Sequence, residues 1–255
     1  MSDSDGAITS AATAIREADS VVAMTGAGVS TASGIPDFRG DDGLWERHDP
    51  MDFHIDRFRA DPAGFWEDRV DLQAAIFDDA AIGPNAAHES LAALEAAGHL
   101  DTVITQNIDG LHQEAGSENV IEIHGSAARA VCRDCKHRYD ADPVIERARD
   151  GELPPTCEEC GDGTLKPDTV LFGEQLPEHA LMKSHAKAQN ADAFIVAGSS
   201  LTVEPAASLP REAATRGATL VLVNLESTPL SDQADFDFRA DVTEALPRLA
   251  DAVQS

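Results

Sequence analysis

The sequence predicts an α/β fold, a doubly wound parallel sheet with two small inserts, one helical and one carrying every cysteine. Three observations predict it. Short apolar runs rich in β-branched residues recur along the chain, amphipathic stretches separate most of them, and two segments break that rhythm. Strand and helix in alternation imply parallel strands whose crossover helices cover both faces of the sheet, a Rossmann-like core.

The strand-like runs lie at 21–24, 102–105, 120–123, 193–197 and 219–223. Helical periodicity marks 8–18, 85–97, 205–216 and 242–253. Pro84 precedes the second helix and Gly98 follows it, while Gly217 closes the third, so breakers stand where helices start and stop. The rhythm fails over 46–83, rich in aromatics and aspartate with two helix-like pieces, and over 131–164. With no internal repeat or low-complexity linker, the chain reads as one unit over 1–255. Its core pieces are about 7–45, 84–130 and 165–255, with a helical insert at about 46–83 and a cysteine-bearing insert at about 131–164. The seam between modules is a natural ligand cleft.

At 255 residues and 42% hydrophobic content the chain can bury a substantial core. Its 46 acidic residues face only 19 basic ones, with four lysines (Lys136, Lys166, Lys183 and Lys187), for a net charge of −27. Self-repulsion is severe in dilute buffer and largely screened in molar salt, so this balance suits a salt-rich cytoplasm and a halophilic prokaryote. It also argues against direct nucleic-acid binding, which needs basic surface. No window approaches the apolar length of a membrane helix, and the first ten residues are unlike a secretory signal. The expectation is a cytoplasmic chain that does not engage a membrane.

After the first strand comes Gly26-Ala27-Gly28-Val29-Ser30, continuing through Ser33-Gly34-Ile35-Pro36-Asp37-Phe38-Arg39. Glycines at a strand end permit tight turning and close approach to a pyrophosphate, whose charge a following helix N-terminus favours. Thr31 stands where the usual dinucleotide fingerprint has its third glycine, so this motif alone leaves open a turn that only closes the strand. The stretch 36–39 packs a rigid turn, a carboxylate, an aromatic face and a guanidinium into four residues, chemically rich for a connector.

The second core strand ends in Thr105-Gln106-Asn107-Ile108-Asp109-Gly110-Leu111-His112. Carboxyl ends of strands form the ligand crevice of open α/β sheets, and amides and carboxylates there can orient ribose hydroxyls; a simple helix cap is the alternative. The next strand delivers His124-Gly125 to the same edge. An imidazole, with an ordinary pKa near 6.5, suits proton acceptance near neutrality. His124 is the only one of nine histidines between a strand and a glycine; His112 could orient a neighbour, and the other seven, His88 included, read as surface or structural groups.

Cys132-x-x-Cys135 and Cys157-x-x-Cys160 form two knuckles separated by 21 residues. Two such pairs close a tetrahedral zinc shell without a vacant position, so the metal should be structural; disulfides fit an intracellular chain poorly.

In chain order these motifs, together with Phe172-Gly173-Glu174, Gly198-Ser199-Ser200-Leu201 and Asn224, resemble the sirtuin family of NAD-dependent protein deacylases over nearly the whole length. The resemblance implies that the loop of Gly26, Ala27, Gly28 and Ser30, with Arg39, contacts the phosphates and ribose of NAD. It implies that Phe38 shields the nicotinamide side and Asp37 holds the carboxamide. Gln106, Asn107, Ile108 and Asp109 would line nicotinamide and its ribose, while Gly198, Ser199, Ser200, Asn224, Leu225, Glu226 and Asp241 would hold the adenosine half. His124, Asn107 and Asp109 form the implied catalytic set, Cys132, Cys135, Cys157 and Cys160 the zinc set. The implied partners are acylated-lysine proteins, whose backbone would pair with residues 170–174 as an added strand. The acyl oxygen attacks the ribose carbon as nicotinamide leaves, and His124 takes a proton from a ribose hydroxyl, yielding free lysine and an acylated ADP-ribose.

There are departures. Residues 166–171 lack the paired valines of many relatives, and Trp66 replaces the tyrosine that, with an arginine at the place of Arg69, marks relatives preferring acidic acyl groups. Arg69 could pair with a succinyl carboxylate or with Glu67 or Asp71. Protein ADP-ribosyl transfer is a variant on the same scaffold. NAD-dependent oxidoreduction leaves the cysteine insert unexplained, and a zinc-ribbon adaptor would not bind NAD saturably.

Overall fold

The structure, a computed structural model, describes residues 3–37, 49–77 and 82–255. Of the expected site residues, Phe38 and Arg39 lie outside the described residues. In chain order the elements are α1 (Asp3–Glu17), β1 (Val21–Thr25), α2 (Ile55–Ala60), α3 (Pro62–Phe77), α4 (Ala86–Ala96), β2 (Thr102–Thr105), α5 (Leu111–Glu114), β3 (Val120–Glu122), β4 (Gly125–Cys132), β5 (Arg138–Asp140), α6 (Ala141–Arg149), β6 (Leu165–Thr169), α7 (Glu178–Asn190), β7 (Ala193–Ala197), α8 (Ser208–Thr215), β8 (Thr219–Asn224), β9 (Phe236–Arg239) and α9 (Val242–Gln254).

Six strands form one parallel sheet in the order β3-β2-β1-β7-β8-β9. The order reverses between β1 and β7, the switch point at which doubly wound sheets open a ligand crevice. Every residue of β1, β2 and β7 is buried, because helices cover both faces. Val21, Ala23, Val103, Ile195, Val221 and Val223 face one layer with Ile15, Leu91, Leu246 and Leu249 from α1, α4 and α9. The intervening residues Val22, Met24, Ile104, Phe194, Val196 and Leu222 face the other, with Ala188, Leu209 and Ala213 from α7 and α8.

A second, antiparallel sheet has the order β5-β4-β6 and reaches beyond 131–164 on both sides, through Gly125–Cys132 and Leu165–Thr169. It shares one core with the helical insert: Ile55, Phe58, Phe65 and Trp66 pack with Ala130, Val144, Ile145 and Leu165. The Trp66 indole N–H donates to the Leu165 carbonyl at 2.8 Å. Trp66 is therefore a core side chain joining the two inserts. No helix among the described residues is long and apolar enough to cross a membrane.

The expected helix at 205–216 begins later, at Ser208, because 205–207 form a tighter turn in which Ser208 N–H bonds the Pro205 carbonyl. Besides α6 and the strands of the second sheet, two elements around the parallel sheet, α7 and β9, had no sequence expectation. Of α7 only Ser184 and Ala188 are buried, so its inward face carries little apolar periodicity. The other, β9, is a four-residue, half-buried edge strand, Phe-Asp-Phe-Arg.

Candidate functional site

The carboxyl ends of β1, β2, β3, β7 and β8 converge at the switch point. The turn after β1 packs directly on the turn after β7: Gly26 N–H donates to Ala197 O at 3.2 Å and Gly28 N–H to Gly198 O at 2.9 Å. A Cβ at Gly26 or Gly28 would sit 2.8 or 2.9 Å from the Gly198 carbonyl, and one on Gly198, held at φ +59°, would collide with the Val29 nitrogen. These glycines thus serve first to let two backbone turns touch, a constraint distinct from the ligand approach expected of them. A second expectation changes too. Among the described residues no regular helix follows β1; two 3₁₀ turns, Ala27–Val29 and Thr31–Ser33, stand there, so the loop lacks the full helix dipole that a pyrophosphate would meet in the usual arrangement.

Ser30 is buried in these turns, and its hydroxyl is the hub of a polar cluster. It donates to Asp109 Oδ2 at 2.7 Å and accepts from Asn107 Nδ2 at 2.9 Å; Asn107 Nδ2 also reaches the Gly26 carbonyl at 3.2 Å. Asp109 Oδ1 accepts the Leu111 N–H at 3.0 Å, so Asp109 holds the first residue of α5 and Ser30 at once. Gln106 bridges the sheet, its Nε2 donating to Ser199 Oγ at 2.8 Å.

Behind Ser30 stands His88, fully buried, its Nε2 3.4 Å from Ser30 Oγ. Asn85 N–H donates to His88 Nδ1 and Asn85 Nδ2 bonds the Val29 carbonyl and Ser33, so the start of α4 clips the glycine turn. The sequence groups His88 with the surface or structural histidines, and its place in the cap of α4 is structural. Its signal was Asn85-x-x-His88, a capping box with histidine in place of the usual Glu. His112 stacks edge-on with His88 at 4.8 Å, and its Nε2 meets Thr25 Oγ1 at 2.8 Å. Burial, then the neighbouring His88, push the His112 pKa down to about 3, and its Nδ1 has no partner among the described residues.

His124 follows β3. Its Nδ1 lies 2.8 Å from the Gln106 carbonyl, which can only accept, so Nδ1 carries the proton and Nε2 keeps a lone pair. Burial lowers its pKa, opposed by that hydrogen bond. The Val170 N–H donates to the His124 carbonyl at 2.8 Å. Gly125, at φ +78°, has no room for a Cβ, which would strike the Asp168 carbonyl of β6; the glycine lets the second sheet dock against the histidine.

After β7 and β8, Gly198 N–H bonds the Val223 carbonyl, with Ser199 buried, Ser200 exposed and Leu225 70% exposed. Asn224 Nδ2 folds back onto the Glu226 carbonyl at 2.9 Å, and Asp241 caps α9 through Oδ1, which accepts the Thr243 N–H at 2.7 Å. Ile108 and Asp37 are half-buried. The stretch 170–174 differs from a free strand edge: Phe172 N–H bonds the Phe53 carbonyl at 3.1 Å and its carbonyl takes the Ile55 N–H at 2.9 Å. The Phe172 N–H and carbonyl are therefore already engaged within the fold.

All four cysteine sulfurs lie within 4.8 Å of one another, with Cys132–Cys160 at 3.7 Å and Cys135–Cys157 at 3.6 Å. A zinc tetrahedron with Zn–S near 2.3 Å has edges of about 3.8 Å, so the cluster fits a structural zinc and excludes disulfides. The Tyr139 hydroxyl accepts the Glu159 N–H at 3.0 Å and contacts Cys157 Sγ at 3.1 Å.

The Sir2 family matches residues 26–205. A NAD-dependent protein deacetylase of Haloarcula marismortui is 55% identical over 253 residues, covering 98% of this chain and 96% of the relative. A NAD-dependent protein deacylase of Archaeoglobus fulgidus is 42% identical over 97% and 96% of the two chains. Among solved structures, one described as the structural basis for the mechanism and regulation of Sir2 enzymes superposes with a TM-score of 0.85 at 41% identity, covering 98% of each chain. A Sir2 bound to a p53 peptide and NAD+ gives 0.80 at 40% identity, over 94% and 95%. With the family match over most of the chain and relatives aligned over nearly all of it, the chain belongs to the Sir2 family.

Proposed function

We propose that the chain is an NAD-dependent protein deacetylase that passes the acetyl group of a modified lysine to ADP-ribose and releases nicotinamide. The observation that carries this reading is His124: a neutral imidazole with Nε2 free to accept a proton and Nδ1 tied to Gln106, the chain neighbour of Asn107 in the Asn107–Ser30–Asp109 cluster.

NAD, when bound, supplies a ribose carbon that releases nicotinamide and takes the acyl oxygen. Gly26, Ala27, Gly28 and Ser30, with Arg39, would contact its phosphates and ribose, while Phe38 would shield the nicotinamide side and Asp37 would hold the carboxamide. Gln106, Asn107, Ile108 and Asp109 frame the adjoining ribose; Gly198, Ser199, Ser200, Asn224, Leu225, Glu226 and Asp241 border the adenosine half. The hydrogen bonds among Ser30, Asn107 and Asp109 fix these groups before any ligand arrives, so little reorganisation accompanies binding. His124 Nε2 accepts the proton of a ribose hydroxyl. The zinc, closed by four thiolates, holds the second sheet and takes no part in the chemistry.

The test is incubation of the wild type and His124→Ala with NAD and an acetyl-lysine peptide in molar KCl, with mass spectrometry of nicotinamide and peptide. The variant should lose about 10² to 10⁴ of its turnover while keeping its melting point and zinc. Near-normal deacetylation would refute the base assignment.

An acidic-acyl preference has one observation in its favour. Arg69, its pKa pushed down to about 10 by burial, bonds only the neutral Gln73 amide at 2.7 Å and makes no ion pair with Glu67 or Asp71 among the described residues. Trp66, held in the core, supplies no partner for an acyl carboxylate. Succinyl-lysine peptide in the same assay decides it: faster turnover than acetyl, lost in Arg69→Met, would establish the preference.

A further inference from the structure

Lys166 is one of only four lysines, and it is 6% exposed in β6. Its ammonium has three protons and three acceptors: the Pro167 carbonyl at 2.9 Å, the Thr169 carbonyl at 2.6 Å and Glu174 Oε2 at 3.0 Å. Glu174 Oε2 also accepts the Leu171 N–H at 2.9 Å, and Glu174 N–H returns to the Leu171 carbonyl at 3.0 Å. The ion pair thus closes the chain from 166 to 174 into a ring. That ring touches His124 through Val170 on one side and the helical insert through Phe172 on the other, and it presents the Phe172 side chain 43% exposed.

A buried ammonium with one carboxylate is a poor stabiliser compared with an apolar pair of the same shape, because desolvation offsets most of the attraction. What such a pair does supply is geometry, since each proton specifies one acceptor. Five hydrogen bonds close the ring within residues 166–174, a stretch that also bonds both His124 and the segment 53–55.

We propose that Lys166 and Glu174 are positioning residues for the peptide substrate: their ion pair sets the wall 170–174 at the distance and angle from His124 that a modified lysine requires. The inference rests on the reading that this wall borders the peptide. Neither residue touches the reacting atoms, and neither belongs to the NAD side of the crevice, so the pair acts on one substrate and leaves the other alone.

The experiment measures KM for an acetyl-lysine peptide, KM for NAD, kcat and the melting point for the wild type, Lys166→Met, Glu174→Gln, the double variant and Phe172→Ala, all in molar KCl. Lys166→Met should raise the peptide KM by about ten-fold or more and leave the NAD KM within about two-fold. Glu174→Gln, which keeps shape and some hydrogen bonding, should raise it less, and it carries the test if the methionine variant fails to fold. The double variant should be no worse than Lys166→Met, the mark of two residues acting as one. Peptide and NAD parameters that fall together in proportion to lost melting temperature would show a purely structural pair and overturn the proposal. An unchanged peptide KM in folded pair variants, with Phe172→Ala raising it, would overturn the clamp alone. An unchanged peptide KM in Phe172→Ala as well would remove the wall from the peptide site, and the proposal with it.

Discussion

At His124 two effects oppose each other: burial disfavours the imidazolium, and the Gln106 carbonyl favours it by accepting from Nδ1. Burial prevails, so the folded pKa lies below 6.5 and the base is neutral at pH 7. Turnover should therefore persist to pH values below that of a free histidine and fall only as pH drops through the lowered pKa. His112 makes the corresponding statement about stability. Its folded pKa is about 3 against an ordinary 6.5, so in that window the unfolded chain binds a proton that the folded chain refuses. Stability from this group is present above pH 6.5 and erodes toward pH 3, by at most about 1.4 kcal/mol per pH unit. Urea unfolding at pH 7 and pH 5, for wild type and His112→Asn, measures it: the wild type should lose more stability between the two pH values than the variant. Equal losses would mean that His112 titrates normally in the fold.

At the scale of elements, the zinc cluster and the antiparallel sheet depend on each other. Cys132 ends β4, and both Cys132 and Cys157 are buried in the core shared with Phe58, Trp66 and Ile145. Removing the cation leaves four sulfurs crowded within 4.8 Å with nothing to neutralise them as thiolates. Chelation should loosen β4, β5, β6, α2 and α3 while the parallel sheet persists, since its two apolar layers are separate clusters. Hydrogen exchange after zinc release should rise steeply over 125–171 and stay unchanged in β1, β2 and β7. A uniform rise would contradict this division. The same division explains what could be read from sequence. β1 and β7 are unbroken apolar runs, legible because helices cover both their faces. β4, β5 and β6 read Gly-Ser-Ala-Ala-Arg-Ala-Val-Cys, Arg-Tyr-Asp and Leu-Lys-Pro-Asp-Thr, and nothing in those compositions shows a strand until metal and insert helices supply the burial. Among site residues, those at strand ends, such as Gln106, Asn107 and His124, were legible because the edge itself marks them. His88 was not, because its meeting with Ser30 spans 58 residues, nor was Lys166, whose buried role depends on a turn the sequence does not announce.

On the scale of the whole molecule the controlling quantity is charge. With 46 acidic and 19 basic residues, 27 carboxylates remain without a cation even if every cation pairs with one acid. The pairs that form are mostly exposed and local, such as Arg59 with Asp56, Arg57 with Asp61 and Arg239 with Asp237; Arg248 with Asp5 joins α9 to α1. Exposed pairs of this kind contribute roughly 0–1 kcal/mol each, too little to offset repulsion across the whole surface. At 0.01 M salt the Debye length is about 30 Å, longer than the radius of gyration of about 18 Å expected for this chain length, so every carboxylate feels nearly every other. Unfolding spreads the charges and relieves that energy, which makes the folded state the loser at low salt. At 1 M the length falls to about 3 Å, repulsion is confined to neighbours, and further salt has little left to screen. The melting point should therefore climb steeply between 10 mM and 1 M KCl and then level off, with NaCl tracing the same curve because screening depends on ionic strength. Equal midpoints in dilute buffer and molar KCl would mean that the acidic surface carries no net repulsion, and a rise that NaCl failed to reproduce would point to specific potassium binding in its place.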